Sequence, residues 1–164
     1  MKTRSASIIA LLIFSFCLLI MPANGQTSSV NAASNYDANL AKKLGADEYG
    51  MKNYVFCILK TGPKDASIND EKQRAGIFAG HMANMKRLAD AGKLVVAGPF
   101  GKNDRSYRGI FVFDVASVDE AEKLVATDPV ITSGMMTAEL TLWYGSAALL
   151  QVNENHKKVA AKSF

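Results

Sequence analysis

Few residues in this chain could move a proton near neutral pH. The sequence holds two histidines, His81 and His156. His156 sits in Asn153-Glu154-Asn155-His156-Lys157-Lys158, a solvated run, and is assigned no role. His81 comes three residues after Phe78, four after Ile77 and four before Met85. That spacing places it on or beside the apolar stripe of a helix. One reading is a core histidine bonded to a backbone carbonyl. The other is a half-buried imidazole acting as general base or acid, since imidazoles titrate near neutrality. In that role it needs a carboxylate on its second nitrogen to fix tautomer and orientation. Asp128 is the best candidate. It also reads as the N-cap of a short turn, with Pro129 at the first position and Gly134 near the end. Spacing alone leaves both readings of each residue open.

Other chemistries leave no signature. No Cys/His cluster has metal-ligand spacing. There is no G-x-S-x-G elbow, no P-loop and no G-x-G-x-x-G run. Gly98-Pro99-Phe100-Gly101 follows a strand and enters a hairpin, so without a helix behind it this is no phosphate cradle. The expected chemistry uses no metal and no bound cofactor. The formal charge is +4, part of it from Lys2 and Arg4, and no basic stripe interleaves with aromatics. A nucleic-acid partner is therefore not expected.

The elements that must position these residues follow from pattern. Residues 54 to 60 are β-branched, aromatic and aliphatic and stop at Thr61-Gly62-Pro63, which reads as a strand. Asp70-Glu71-Lys72-Gln73 resembles a capping box, with Gln73 reaching back to the Asp70 amide. It opens a helix whose apolar positions recur at Ile77, Phe78, Met82, Met85, Leu88 and Ala89 and which stops at Gly92. Lys93 to Ala97 and Gly109 to Val115 read as strands two and three. Ser117-Val118-Asp119-Glu120 opens a second helix, with Ala121, Leu124 and Val125 on one face, and Asp128-Pro129 ends it. Thr137 to Tyr144 alternates as a fourth strand, and residues 147 to 160 carry a terminal helix. The order βαββαβ predicts a ferredoxin-like α+β fold of the dimeric α/β-barrel type. Its sheet is antiparallel, with both helices on one face.

The flanks suggest export. Met1-Lys2-Thr3-Arg4, an apolar run from Ile8 to Met21 and then Ala23-Asn24-Gly25 have the layout of a cleaved signal peptide over 1–25. The apolar run falls short of the roughly 20 residues a membrane span needs, and Phe16 before Cys17 argues against a lipid anchor. A periplasmic or secreted location is expected, with no stable membrane span after cleavage. Residues 26–50 read as a polar tether with a short helix capped by Asp37 and ended by Gly45. The domain proper spans 51–146, and 147–164 form a terminal helix and tail. Past the leader only Cys57 remains, inside an apolar strand, and it reads as core.

Strands one and three are apolar on both sides: Tyr54, Phe56, Ile58 against Val55, Cys57, Leu59, and Ile110, Val112 against Phe111, Phe113, Val115. Two helices cover one side. The other would be an exposed apolar patch, so the expected partner is a second copy packed sheet to sheet. The alternative is that the terminal helix covers that face within one chain.

Several of these segments, taken together, resemble the YciI-like (YCII-related) family. They are helical His81, then Ala91-Gly92-Lys93-Leu94-Val95-Val96-Ala97-Gly98-Pro99, then Asp128-Pro129 with Gly134, and a last strand ending at Trp143. The resemblance covers about residues 53 to 145. It implies a ferredoxin-like fold that dimerises through its sheets and a His–Asp pair in a cleft, here His81 and Asp128. Some relatives are similar to dehydrochlorinases or lyases acting on hydroxylated rings. Many carry an arginine where this chain has Phe78, with Arg74 one turn further off. Two readings follow. In the first, His81 and Asp128 catalyse an elimination or isomerisation on a small organic molecule, Gly98 and Pro99 shape the floor of the cleft, and Trp143 walls it or packs on the sheet. In the second, the same cleft belongs to a non-catalytic ligand-binding or accessory dimer of the cell envelope.

Overall fold

The computed structural model describes residues 35–162. The leader expected over 1–25 lies outside the described residues. Among those described, no helix is long and apolar enough to cross a membrane.

Asp37 caps α1 (Ala38–Leu44) by accepting from the Asn39 and Leu40 amides, and Gly45 closes it in the left-handed region. There follow β1 (Met51–Thr61), α2 (Glu71–Asp90), β2 (Leu94–Pro99), β3 (Tyr107–Phe113), α3 (Val118–Val125), α4 (Pro129–Thr132) and β4 (Met136–Ser146). A 3-10 turn (Ala147–Gln151) and α5 (Val152–Val159) end the chain. The sheet is antiparallel throughout, in the order β2-β3-β1-β4. With βαββαβ connectivity this is the expected ferredoxin-like α+β fold.

Strand ends differ from the pattern where pairing outruns apolarity. β1 and β4 pair without a break from Met51↔Ser146 to Thr61↔Met136, which draws polar Lys52 and Asn53 into the strand. β3 begins at Tyr107, which meets Lys60 across a register shift that alternation could not reveal. Both helices start at the expected N-caps, but only the forward half of each capping box forms. The Gln73 amide donates to Asp70 (2.6 Å), and the Glu120 amide donates to Ser117 Oγ (3.2 Å). The Glu120 carboxylate reaches back to the Ala116 amide rather than to that of Ser117.

One face of the sheet holds the main core. Val55, Cys57, Leu59, Phe111 and Phe113 pack there against Leu88 of α2 and Ala121 and Val125 of α3. Because side chains alternate, the next residues along face away. Tyr54, Val95 and Val112 form a second cluster on that side, closed in part by Leu149 and Leu150 of the 3-10 turn. The terminal segment thus covers part of the second face from within the chain.

Candidate functional site

Helix α2 exists because Asp70 caps it and because Ile77, Phe78, Met85, Leu88 and Ala89 give it an apolar stripe to bury. His81 lies in that stripe and is 9% exposed. Asp128 sits where α3 ends and α4 begins, and is 0% exposed. The structure brings the two together. His81 Nδ1 stands 2.8 Å from one Asp128 carboxylate oxygen and 3.0 Å from the other. Asp128 Oδ1 also accepts from the Val130 amide at 3.1 Å, so the carboxylate is N-cap and histidine partner at once. An ionised carboxylate only accepts, so opposite an ionised Asp128 the Nδ1 carries a proton, and in the neutral ring the lone pair is then on Nε2.

Among the described residues Nε2 has no hydrogen-bond partner. It is not enclosed either, because Asn84 Nδ2 is the only enclosed, unpartnered side-chain nitrogen or oxygen among the described residues. The lone pair therefore faces accessible space. The ring is held between two aromatics. It stacks on Phe111 (centroids 5.9 Å, planes 29°) and meets Phe78 edge-on (6.4 Å, 81°). Phe78, where the resemblance implies an arginine in many relatives, thus flanks the ring edge-on. Arg74 does not stand in for that arginine. Its guanidinium donates to the Asp65 and Ile68 carbonyls and to the Asp65 carboxylate, which ties down the loop before α2.

A close approach makes the pair possible. A Cβ on Gly80 would stand 2.8 Å from Cγ of Pro129, so α2 can come this near to α4 only because residue 80 is glycine. The residues next to this contact are His81 and Asp128. Beneath them lies Cys57. Burial pushes its thiol up to about 12, and the negative charge of Asp128 adds to the effect. That fits a packed core thiol rather than a nucleophile.

The other residues singled out in the sequence are placed less uniformly. Pro99 pairs with Gly109, and its neighbour but one, Ala97, with Phe111, so Pro99 is on the face that carries His81, near the end of β2. Gly98 pairs with Ile110 and faces the other way. A Cβ on Gly98 would meet nothing within 4 Å; the close approach is at Gly109, whose Cβ would stand 2.8 Å from the Gly98 carbonyl. Trp143 is not brought to the pair. It lies on the opposite sheet face, packed on Tyr54 (5.9 Å) and Phe56 (6.0 Å). Two open grooves, one between α3 and β4 and one along α5, do not include His81. Among the described residues no group of three His, Cys, Asp or Glu could hold a metal ion.

Sequence reasoning missed Asn84, one turn beyond His81 and 8% exposed. Its Oδ1 accepts from Arg87 Nη2 (2.7 Å) and from the Thr127 hydroxyl (3.0 Å). Its Nδ2 is left unpaired, which costs about 1–3 kcal/mol. The one available signal was a polar residue at a stripe position, three residues from His81 and four before Leu88.

The profile of the YCII-related domain matches residues 54–143. The chain belongs to the YCII-related domain family. The matched stretch runs from Tyr54 in β1 to Trp143 in β4 and contains both His81 and Asp128, so the pair lies within the family domain. No curated protein matches the chain. One solved structure is similar over 54% of this chain and 90% of its own, at 22% identity and a TM-score of 0.37. It is the 5-chloro-2-hydroxyhydroquinone dehydrochlorinase TftG from Burkholderia phenoliruptrix AC1100, in complex with 2,5-dihydroxybenzoquinone.

Proposed function

We propose that this YCII-related protein is a small-molecule enzyme working by acid–base catalysis, with His81 as the proton-transfer group and Asp128 as its orienting partner. The observation that carries the reading is the His81 Nδ1–Asp128 contact at 2.8 Å, with Nε2 left open beside two aromatic rings. Nε2 takes a proton from an acidic C–H of the substrate, and Asp128 offsets the positive charge that forms on the ring. In an elimination the C–H electron pair becomes the new C=C bond, and a leaving group departs with its own pair. In an isomerisation the proton returns at another carbon. The phenylalanine walls suit a flat, largely apolar substrate. A positioned base of this kind contributes roughly 10²–10⁴-fold to rate. His81→Ala is expected to abolish turnover and leave the fold intact. Full activity in that variant would end the reading.

A second reading, a binding module that holds a ligand without transforming it, is favoured by one feature. Arg74 is committed to its loop, so no guanidinium is offered at the wall where Phe78 stands. Turnover of any hydroxylated ring that depends on His81 would decide against it.

The working unit in this proposal is a homodimer packed through the second sheet face, where Phe56, Ile58, Val96 and Ile110 remain half-buried. The protein is also proposed to act outside the cytoplasm, periplasmic or secreted, on the strength of the charged, apolar and small-residue layout of 1–25. An exported chain should then begin at Gln26. A full-length chain in the membrane fraction would contradict this.

A further inference from the structure

The corner between α3 and α4 meets helix α2 at three successive residues. Pro129 abuts Gly80, Asp128 bonds His81, and Thr127 bonds Asn84. The first contact is a steric stop, which limits how closely the two elements approach. The third is a hydrogen-bonded tie, which limits how far they separate. It has three members: Arg87 Nη2 donates to both Asn84 Oδ1 (2.7 Å) and Thr127 Oγ1 (2.9 Å), and Thr127 lies 3.0 Å from Asn84 Oδ1. Thr127 Oγ1 is also 2.7 Å from the Leu124 carbonyl, so its single proton is shared between that carbonyl and Asn84 Oδ1, and Arg87 Nη2 bridges the two side chains by donating to both.

Asp128 is fixed within its own corner. Its amide donates to the Val125 carbonyl, its carbonyl accepts from Ile131 and Thr132, and its carboxylate caps α4. None of those bonds fixes the corner relative to α2, which carries the histidine. The tie through Asn84 does. It is also expensive, since Asn84 is buried with its Nδ2 unpaired.

We propose that Asn84, acting through Thr127 and steadied by Arg87, is a positioning residue that holds Asp128 in bonding distance of His81. This rests on the reading of His81 and Asp128 as a working pair. Asn84 touches neither the reacting nitrogen nor a substrate. Its effect is on the lifetime and geometry of the Nδ1–H to carboxylate bond.

The test reads the His81 Nδ1–H proton by NMR in the full chain, as chemical shift and as exchange rate with water. Four variants are compared: Asp128→Asn, Thr127→Val, Thr127→Ser and Asn84→Ala. Replacing the carboxylate by an amide in Asp128→Asn should move the signal upfield, because a charge-assisted bond is weakened. Loss of one tethering bond in Thr127→Val or Asn84→Ala should speed exchange roughly tenfold, the worth of one hydrogen bond. Thr127→Ser, which keeps the hydroxyl, should match the parent. If Asp128→Asn moves the signal but Thr127→Val and Asn84→Ala exchange as slowly as the parent, the pair stands and the positioning role falls. If Asp128→Asn leaves the signal in place, the pair itself fails and takes this proposal with it. Should Thr127→Val unfold, Asn84→Ala decides on the same signal. Unfolding of both would make the network a folding requirement and overturn the assignment.

Discussion

The buried Asp128 carboxylate neighbours both the His81 imidazole and the Cys57 thiol. A carboxylate favours positive charge beside it and opposes a second negative one. Asp128 therefore discourages a neighbouring thiol from losing its proton. With its thiol pushed up to about 12, first by burial and then by Asp128, Cys57 is expected to be inert in the native chain. An alkylating reagent should label it only as fast as the protein unfolds, and at once in denaturant. Labelling of the native chain at the denatured rate would show that the strand does not bury it. Both residues could be read as such in the sequence, Cys57 from its apolar run and His81 from its place in a stripe. Asn84 could not. A lone asparagine in a helix carries no signal of its partners, and Thr127 and Arg87 come from spacings that only the docked corner defines.

At the scale of elements, the decisive contact is Gly80 against Pro129. A glycine inside a helix ordinarily weakens it, and Gly80→Ala alone would favour the helix by about 1 kcal/mol. Here the added Cβ would stand 2.8 Å from Cγ of Pro129, a ring atom held at the first position of α4 and unable to swing aside. Overpacking of this sort costs about 1–3 kcal/mol. The steric effect wins, and Gly80→Ala is expected to lower stability by roughly 1 kcal/mol. Activity should fall further than stability, since the shifted elements carry His81 and Asp128. Chemical denaturation and turnover measured together check this, and a more stable variant would mean that α4 yields freely. The order of strands and helices was legible because alternation and capping are local. The glycine was not, because in sequence it is only a poor helix former. Trp143 shows the same limit. Its alternation against Leu140 and Leu142 was plain, but β1 is apolar on both sides, so nothing local said which face the helices cover.

The whole molecule has one face covered by two helices and one covered in part by its own C-terminal turn. Leu149 and Leu150 close over Tyr54, Val95 and Val112, while Phe56, Ile58, Val96 and Ile110 stay half-buried. A patch of that kind favours a second copy. At micromolar concentration the mass in solution should be twice that of the chain, and a monomeric mass would remove the sheet-to-sheet dimer. The His81–Asp128 pair has its own consequence at this scale. His81 and Asp128 are 47 residues apart in sequence, with two strands and a helix between them. Contacts of that separation form late, once the intervening chain has been ordered and its loop entropy lost. The bond between the two side chains is therefore a report on the docking of the α4 corner against α2. A chain still collapsing, or opened at the α4 corner, carries only an ordinary histidine. The paired state begins when α4 closes onto α2.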